Sequence, residues 1–276
     1  MARLVVFTDL DGTLLSHDSY DWRPARPALA ALQHHRIPLV LTSSKTRREL
    51  ERWRARLGQD GPFISENGSA LYVPIATGSA PPAGAEQVDG YWRVELGTPW
   101  AVLREALGHL SRDLGVPLLG FGDLDSTQVA RLTGLGGEDL AAAMAREYDE
   151  PFVPARPLEE DTERRLAELA AGWGLRVTRG GRFYHLLGPV SKADAAGRLV
   201  AGAGAPVTTV AVGDSPNDLE LLAWADYAVV VARPDGSHAP ELRQGVPDAH
   251  FTQQAGPKGF ADGVIAILTT LGYHPK

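Results

Sequence analysis

Asp9 and Asp11 stand one residue apart in Phe7-Thr8-Asp9-Leu10-Asp11-Gly12-Thr13, and far along the chain Gly213-Asp214-Ser215-Pro216-Asn217-Asp218 carries two more acids. Carboxylates this close repel one another, so keeping them ionised near neutral pH calls for a cation. Oxygen ligands of this kind suit Mg²⁺, a hard ion that retains several waters. Between the two acid clusters lie the hydroxyl run Thr42-Ser43-Ser44-Lys45-Thr46 and an isolated lysine, Lys192. Hydroxyls and the first N–H groups of a helix together suit a phosphate. Each fragment also has a plain structural reading. Asp-Leu-Asp-Gly can be a turn, the hydroxyls can cap a helix, and Lys192 can be a solvated surface lysine.

The elements that must position these groups follow from hydrophobic periodicity. Val5–Phe7 and Val207–Val212 are apolar runs that end in the acids, Ile37–Leu41 ends in the hydroxyls, and helical patterns follow. Ligands of an open parallel sheet bind beyond the carboxyl ends of its strands, which is where this pattern places the polar groups. Phe63-Ile64-Ser65 reads as a third strand, with Glu66-Asn67-Gly68 as a polar turn and Ala70–Val73 as its hairpin partner.

From Ala76 to Gly90 the composition shifts to Ala, Gly, Pro and Ser, which is linker chemistry, and a domain crossing is expected there. Beyond it, a strand at 91–96 opens a run of alternating helices and strands that ends in a hairpin over 175–187, turning at Gly180-Gly181. This block has no nucleophile and metal set of its own, so its simplest role is a lid. The expected architecture is α/β: a Rossmann-like parallel-sheet core formed by residues 1–84 and 189–276, with an inserted α+β cap, residues 85–188. Hinges are expected near 76–90 and at Gly188-Pro189.

At 276 residues the chain has room for two domains. A net charge of −7 argues against nucleic acid or an acidic membrane as partner. The absence of cysteine excludes disulfides, thiolate metal sites and a cysteine nucleophile. Met1-Ala2-Arg3 leads straight into a strand without a secretion-signal pattern, and no apolar run approaches a membrane span, so the expected compartment is the cytoplasm.

Taken in chain order, Asp-x-Asp-Gly-Thr, a strand-end hydroxyl, an isolated Lys and Gly-Asp-x-x-Asn-Asp resemble the four motifs of the haloacid dehalogenase superfamily, over about 1–75 and 190–276. The insertion between the second and third motifs resembles the C2-type cap of its sugar-phosphatase branch. Ser43-Ser44-Lys45-Thr46-Arg47, Arg131-Leu132-Thr133-Gly134-Leu135, Arg146-Glu147-Tyr148-Asp149-Glu150-Pro151-Phe152 and Gly181-Arg182-Phe183-Tyr184-His185-Leu186 resemble the mannosyl-3-phosphoglycerate phosphatases. The resemblance implies a Mg²⁺-dependent phosphatase acting on a phosphorylated glycosyl-glycerate, with Asp9 as nucleophile and Asp11 as general acid and base. Mg²⁺ is implied at Asp9, the Asp11 main-chain carbonyl, Asp214 and, through water or at one remove, Asp218. Ser43, Lys192 and Asn217 are implied for phosphate, with Thr42 as the alternative hydroxyl. For the rest of the substrate the candidates are Lys45, Asn67, Arg131, Thr133, Arg146, Glu147, Arg182 and His185, while Phe183 and Tyr184 read as core. A broad sugar phosphatase, a phosphomutase and a non-catalytic sugar-phosphate sensor are the competing readings, since motifs of this kind do not identify the leaving group.

Overall fold

The structure, a computed structural model, describes residues 3–180 and 182–274. Alternate residues of β1 (Arg3–Thr8) serve two cores: Leu4 and Val6 face one side of the sheet, Val5 and Phe7 the other. Burial on both faces explains the continuous apolar run, and each large side chain buried in this way contributes about 1.5–3 kcal/mol. α1 (Arg26–His34), β2 (Leu39–Thr42), α2 (Arg47–Leu57) and β3 (Phe63–Ser65) extend the parallel pattern. A reciprocal cap starts α2: Glu49 N donates to Thr46 Oγ1 at 3.1 Å, and Thr46 N donates to Glu49 Oε2 at 3.0 Å. β4 (Ala70–Pro74) then returns antiparallel to β3, as the polar turn predicts.

The next two strands differ from expectation. β5 (Glu86–Val88) and β6 (Tyr91–Glu95) continue the same sheet, with Val94 of β6 opposite Leu71 of β4. The Ala/Gly/Pro stretch is therefore a loop at the edge of the core sheet, and the chain leaves that sheet near Gly97 rather than at residue 85. The physical reason is burial. Val94 packs with Leu71 and Val73 in the core, whereas period-two alternation identifies a strand without saying which sheet it joins.

The inserted module comprises α3 (Trp100–Leu114), β7 (Leu118–Gly120), α4 (Ser126–Thr133), α5 (Gly137–Met144), β8 (Asp149–Pro154), α6 (Glu160–Gly172), β9 (Arg176–Arg179) and β10 (Tyr184–Leu187). Its four strands form an antiparallel sheet in the order β7-β8-β10-β9. Leu103, Leu107, Leu110 and Leu166 from α3 and α6 pack with Phe152, Tyr184 and Leu186 on one face. Because side chains alternate along a strand, Asp149 and His185 point to the opposite face. Gly181, the second glycine of the expected hairpin turn, lies outside the described residues.

α7 (Lys192–Ala201), β11 (Val207–Gly213), α8 (Leu219–Trp224), β12 (Tyr227–Ala232), α9 (Pro240–Gly245), β13 (His250–Ala255) and α10 (Gly256–Thr270) complete the core. The nine-stranded sheet runs β13-β12-β11-β1-β2-β3-β4-β6-β5. β1 lies between β11 and β2, with Thr8 opposite Val212 on one side and Leu41 on the other. Strand order reverses here, opening a crevice at the carboxyl end of β1. Among the described residues no helix is long and apolar enough to cross a membrane.

Candidate active site

Asp9 is the first residue beyond β1, and its N–H donates to Val212 O at 2.9 Å, which fixes it beside the end of β11. The chain then turns at Gly12, where φ is +85° and a Cβ would lie 2.5 Å from His17 Nε2 and 2.6 Å from Asp214 Oδ2. Glycine is needed there for both conformation and space. The next residue, Thr13, donates from Oγ1 to Asp214 Oδ1 at 2.8 Å. Asp9, Asp214 and Asp218, all buried, bring one carboxylate oxygen each within 4.8 Å of the others.

One lysine answers these three acids. Lys192 is the first residue of α7, whose start is fixed by a reciprocal Ser191–Asp194 cap. Gly68 lets the polar turn after β3 approach this helix, since a Cβ there would fall 2.0 Å from Ser191 O. Lys192 Nζ donates to Asp9 Oδ1 at 2.7 Å and to Asp218 Oδ1 at 2.6 Å. Burial works to lower the Lys192 pKa, but Asp218 and Asp9 outweigh it and hold the ammonium above its ordinary value. Burial, opposed by Lys192 and reinforced by Asp218 and Asp214, pushes the Asp9 carboxyl up to about 8; burial raises Asp214 as well.

The donor set fits a hard divalent cation, because three carboxylates against one ammonium leave an excess of negative charge with oxygen ligands around it. The acids are not equivalent. Asp218 Oδ2 also accepts the N–H groups of Asp214 and Ser215, both at 3.1 Å, so its two oxygens are engaged by the protein. Asp9 keeps Oδ2 free of protein partners among the described residues. Asp11 lies outside the cluster, with its side chain turned to Lys45 at 2.8 Å.

A cavity of about 80 Å³ sits above Asp9, lined from the core by Asp9, Asp11, Lys45 and Asn217 and from the inserted module by Arg146, Arg182 and His185. The module is held down over it. Arg146 Nη1 donates to Ser44 O at 2.8 Å, Arg182 donates to His17 O, and Thr46 Oγ1 donates to Ala142 O at 2.8 Å.

Of the two candidate hydroxyls after β2, Thr42 Oγ1 donates to Val40 O at 3.3 Å. Ser43 Oγ accepts from Lys45 N at 3.4 Å and has no acceptor for its own proton among the described residues. Thr133 lines the cavity, but its hydroxyl is spent on Val129 O at 2.8 Å. Asn67 is buried behind the cavity between Asn217 and Asp149.

Besides Asn67, two further expected substrate residues are not brought to the cavity wall. Arg131 is exposed on the outer side of α4. Glu147 turns away to accept from Tyr72 Oη at 2.8 Å. For Arg131 the helical phase of α4 sends the side chain outward, and Glu147, in the segment between α5 and β8, is held aside by Tyr72. Phe183, expected in the core, lines the cavity instead, while Tyr184 packs into the module as expected.

Sequence reasoning missed His17, Tyr20, Glu49, Phe121 and Leu135, which also line the cavity, and Asp149, which lies behind it. Glu49 was hidden by its legible capping role, and Asp149 was discoverable from parity with the helix-facing Phe152. His17 carried no signal: it arrives through the loop after Thr13, where Asp214 beside it raises its pKa.

Residues 6–78 match the family model of the haloacid dehalogenase-like hydrolases. Over 269 residues the chain is 36% identical to a glucosyl-3-phosphoglycerate/mannosyl-3-phosphoglycerate phosphatase from Methanococcoides burtonii, covering 96% of this chain and 97% of the relative. A protein of the same name from Persephonella marina is 31% identical, with 97% and 98% covered. Among solved structures, a haloacid dehalogenase subclass IIB sugar phosphatase superposes with a TM-score of 0.67 at 15% identity, covering 98% and 99% of the two chains. The sucrose-phosphatase of Synechocystis superposes with a TM-score of 0.61 at 15% identity, covering 99% of each. At such identities the structural likeness speaks for the fold alone.

Proposed function

The chain belongs to the family of glucosyl-3-phosphoglycerate/mannosyl-3-phosphoglycerate phosphatases among the haloacid dehalogenase-like hydrolases, and on that premise we propose that it is a Mg²⁺-dependent phosphatase of mannosyl-3-phosphoglycerate and glucosyl-3-phosphoglycerate. The observation that carries the reading is Asp9: one oxygen is held by Lys192 at 2.7 Å, the other has no protein partner among the described residues, and the residue lines a cavity shared with Lys45, Arg146, Arg182 and His185.

A phosphate monoester reacts very slowly in water, and its displacement needs an in-line nucleophile, neutralised equatorial oxygens and a proton for the leaving alkoxide. Asp9 Oδ2 attacks phosphorus as the glycerate oxygen departs, taking a proton from Asp11 and leaving an aspartyl-phosphate. Asp11 then removes a proton from a water molecule, whose oxygen attacks phosphorus, releases inorganic phosphate and restores Asp9. Ser43 and Lys192 orient the phosphate oxygens, and Asn217 adds an amide N–H. The Asp9 and Asp214 carboxylates and the Asp11 carbonyl would hold Mg²⁺, with Asp218 at one remove. When bound, the ion supplies charge neutralisation at the phosphate.

Arg146, Arg182 and His185 answer the carboxylate and hydroxyls of the glycosyl-glycerate. The product belongs to the chemical class of compatible solutes. The same reading keeps the enzyme in the cytoplasm, where a multiply charged substrate of this kind is retained.

The test is phosphate release from mannosyl-3-phosphoglycerate, glucosyl-3-phosphoglycerate, 3-phosphoglycerate and mannose 6-phosphate, each with Mg²⁺ and with chelator. Metal-dependent release confined to the two glycosyl phosphoglycerates is expected. Equal turnover of mannose 6-phosphate would replace the reading with a broad sugar phosphatase.

A further inference from the structure

Asp149, the first residue of β8, is fully buried, on the face of its sheet that looks toward the core. Its carboxylate faces His185 Nδ1 at 2.8 Å through Oδ2 and at 3.0 Å through Oδ1, and Oδ2 also accepts from Asn67 Nδ2 at 2.9 Å. Asn67 Oδ1 in turn accepts from Asn217 Nδ2 at 2.9 Å, and Asn217 Oδ1 accepts from Ser215 Oγ at 2.6 Å. An unbroken chain of hydrogen bonds thus runs from the core's phosphate-side amide, Asn217, to a histidine of the inserted module.

The sense of this chain is set by its one charged member. An ionised carboxylate only accepts, so Asn67 must turn its NH₂ toward Asp149 and its carbonyl toward Asn217. Asn217 then spends its carbonyl on Ser215 and one N–H on Asn67, leaving its second N–H for a phosphate oxygen. On the other arm, His185 carries its proton at Nδ1, and Nε2 has no partner among the described residues while the ring lines the cavity. That nitrogen suits a hydroxyl donor. The turn bearing Asn67 supports the link: Glu66 and Asn67 adopt positive φ of 47° and 59°, and the Glu66 carboxylate accepts the N–H groups of Glu147 at 3.1 Å and Tyr148 at 3.2 Å. Two successive non-glycine residues hold this uncommon conformation where the core grips 147–149.

We propose that Asp149 is a positioning residue that aims the Asn217 amide at the phosphate through Asn67 and aims His185 Nε2 at a hydroxyl of the leaving group, so that seating the module completes both ends of the substrate site. This rests on the phosphatase reading of the cavity.

The experiment compares wild type with Asp149→Asn, His185→Gln and Asn67→Gly, measuring kcat and KM on the two glycosyl phosphoglycerates and on p-nitrophenyl phosphate, competitive inhibition by inorganic phosphate, and thermal midpoints. Asp149→Asn keeps the shape but allows the amides to flip. It is expected to lower kcat/KM on the glycosyl substrates about 10- to 100-fold and to weaken phosphate inhibition. His185→Gln should lose only the glycosyl part, and Asn67→Gly, which tolerates the positive φ, should weaken phosphate inhibition with the preference for glycosyl substrates kept. Unchanged phosphate inhibition in both folded Asp149→Asn and folded Asn67→Gly overturns the proposal, as does a His185→Gln variant that weakens it equally. Should Asp149→Asn fail to fold, Asn67→Gly and His185→Gln decide. A wild type that turns over p-nitrophenyl phosphate but neither glycosyl substrate would overturn the functional reading instead, and phosphate inhibition would still test the amide arm.

Discussion

Lys45 Nζ lies 2.8 Å from Asp11 Oδ2, with Glu49 Oε1 at 3.6 Å and the Tyr20 ring centroid at 5.0 Å. The lysine is therefore engaged by the core's own carboxylates, and it fixes the direction of the Asp11 side chain. Coulomb attraction from Asp11 and Glu49 overcomes the burial that works to lower its pKa, so the ammonium stays charged. Lys45→Met should cut kcat about 10- to 100-fold, the scale of one charge-assisted hydrogen bond, with KM for p-nitrophenyl phosphate changed far less. A KM effect larger than the kcat effect would instead make Lys45 a phosphate ligand.

The uncommitted proton of Ser43 and the committed one of Thr42 separate two adjacent hydroxyls. Ser43→Ala is expected to lower kcat/KM about 10- to 100-fold by removing a bond to a charged phosphate, while the near-isosteric Thr42→Val should stay within about threefold of wild type. Steady-state kinetics on both variants decides between them; the reverse order would move the motif by one residue.

Three buried carboxylates facing one ammonium make metal binding a stability event. Mg²⁺ at ten times its Kd should raise the thermal midpoint by about 3–6 °C, and chelator should reverse the shift and abolish turnover. In Asp214→Asn the shift should shrink or vanish. An undiminished shift there would mean that the ion binds elsewhere.

Glu66 supplies a pH-dependent term. Burial, opposed by Arg146, pushes its carboxyl up to about 8 from 4.5. A group that titrates higher in the folded chain holds more protons there, so its stabilising contribution is complete below about pH 4.5 and is lost as pH rises through about 8. Asp9 and Glu150 titrate in the same window, at about 8 and about 7, so the comparison must be with Glu66→Gln, which removes only the Glu66 part. Denaturant midpoints at pH 6 and pH 8.5 should show the variant gaining on wild type as pH rises; parallel curves would contradict the assignment.

The core of the site was legible because its geometry is local. Asp9 and Asp11 are placed by a buried strand and a glycine that admits a positive φ, Lys192 by a reciprocal helix cap, and Asp214 and Asp218 by the next strand and its turn. An alternation of strands and helices of suitable length forces a parallel sheet whose carboxyl ends meet, so chain order predicted that the acids and hydroxyls converge, while Lys192 was assigned through its place among the resembled motifs. The expectation of a divalent cation likewise followed from the crowding of like charges.

What the sequence by itself determined, then, is the parallel core, the presence of an insertion and the gathering of acids and hydroxyls at the strand ends. Tertiary structure decided which sheet receives Tyr91–Glu95, because a strand's alternation is satisfied by any partner and only the burial of Val94 against Leu71 chooses one. It also decided the cavity wall. Arg146 and His185 are brought in while Arg131 and Glu147 are left out, because selection depends on which face of β10, which turn of α4 and which side of the segment 145–148 meets the core when the two layers pack, and no spacing along the chain encodes that contact.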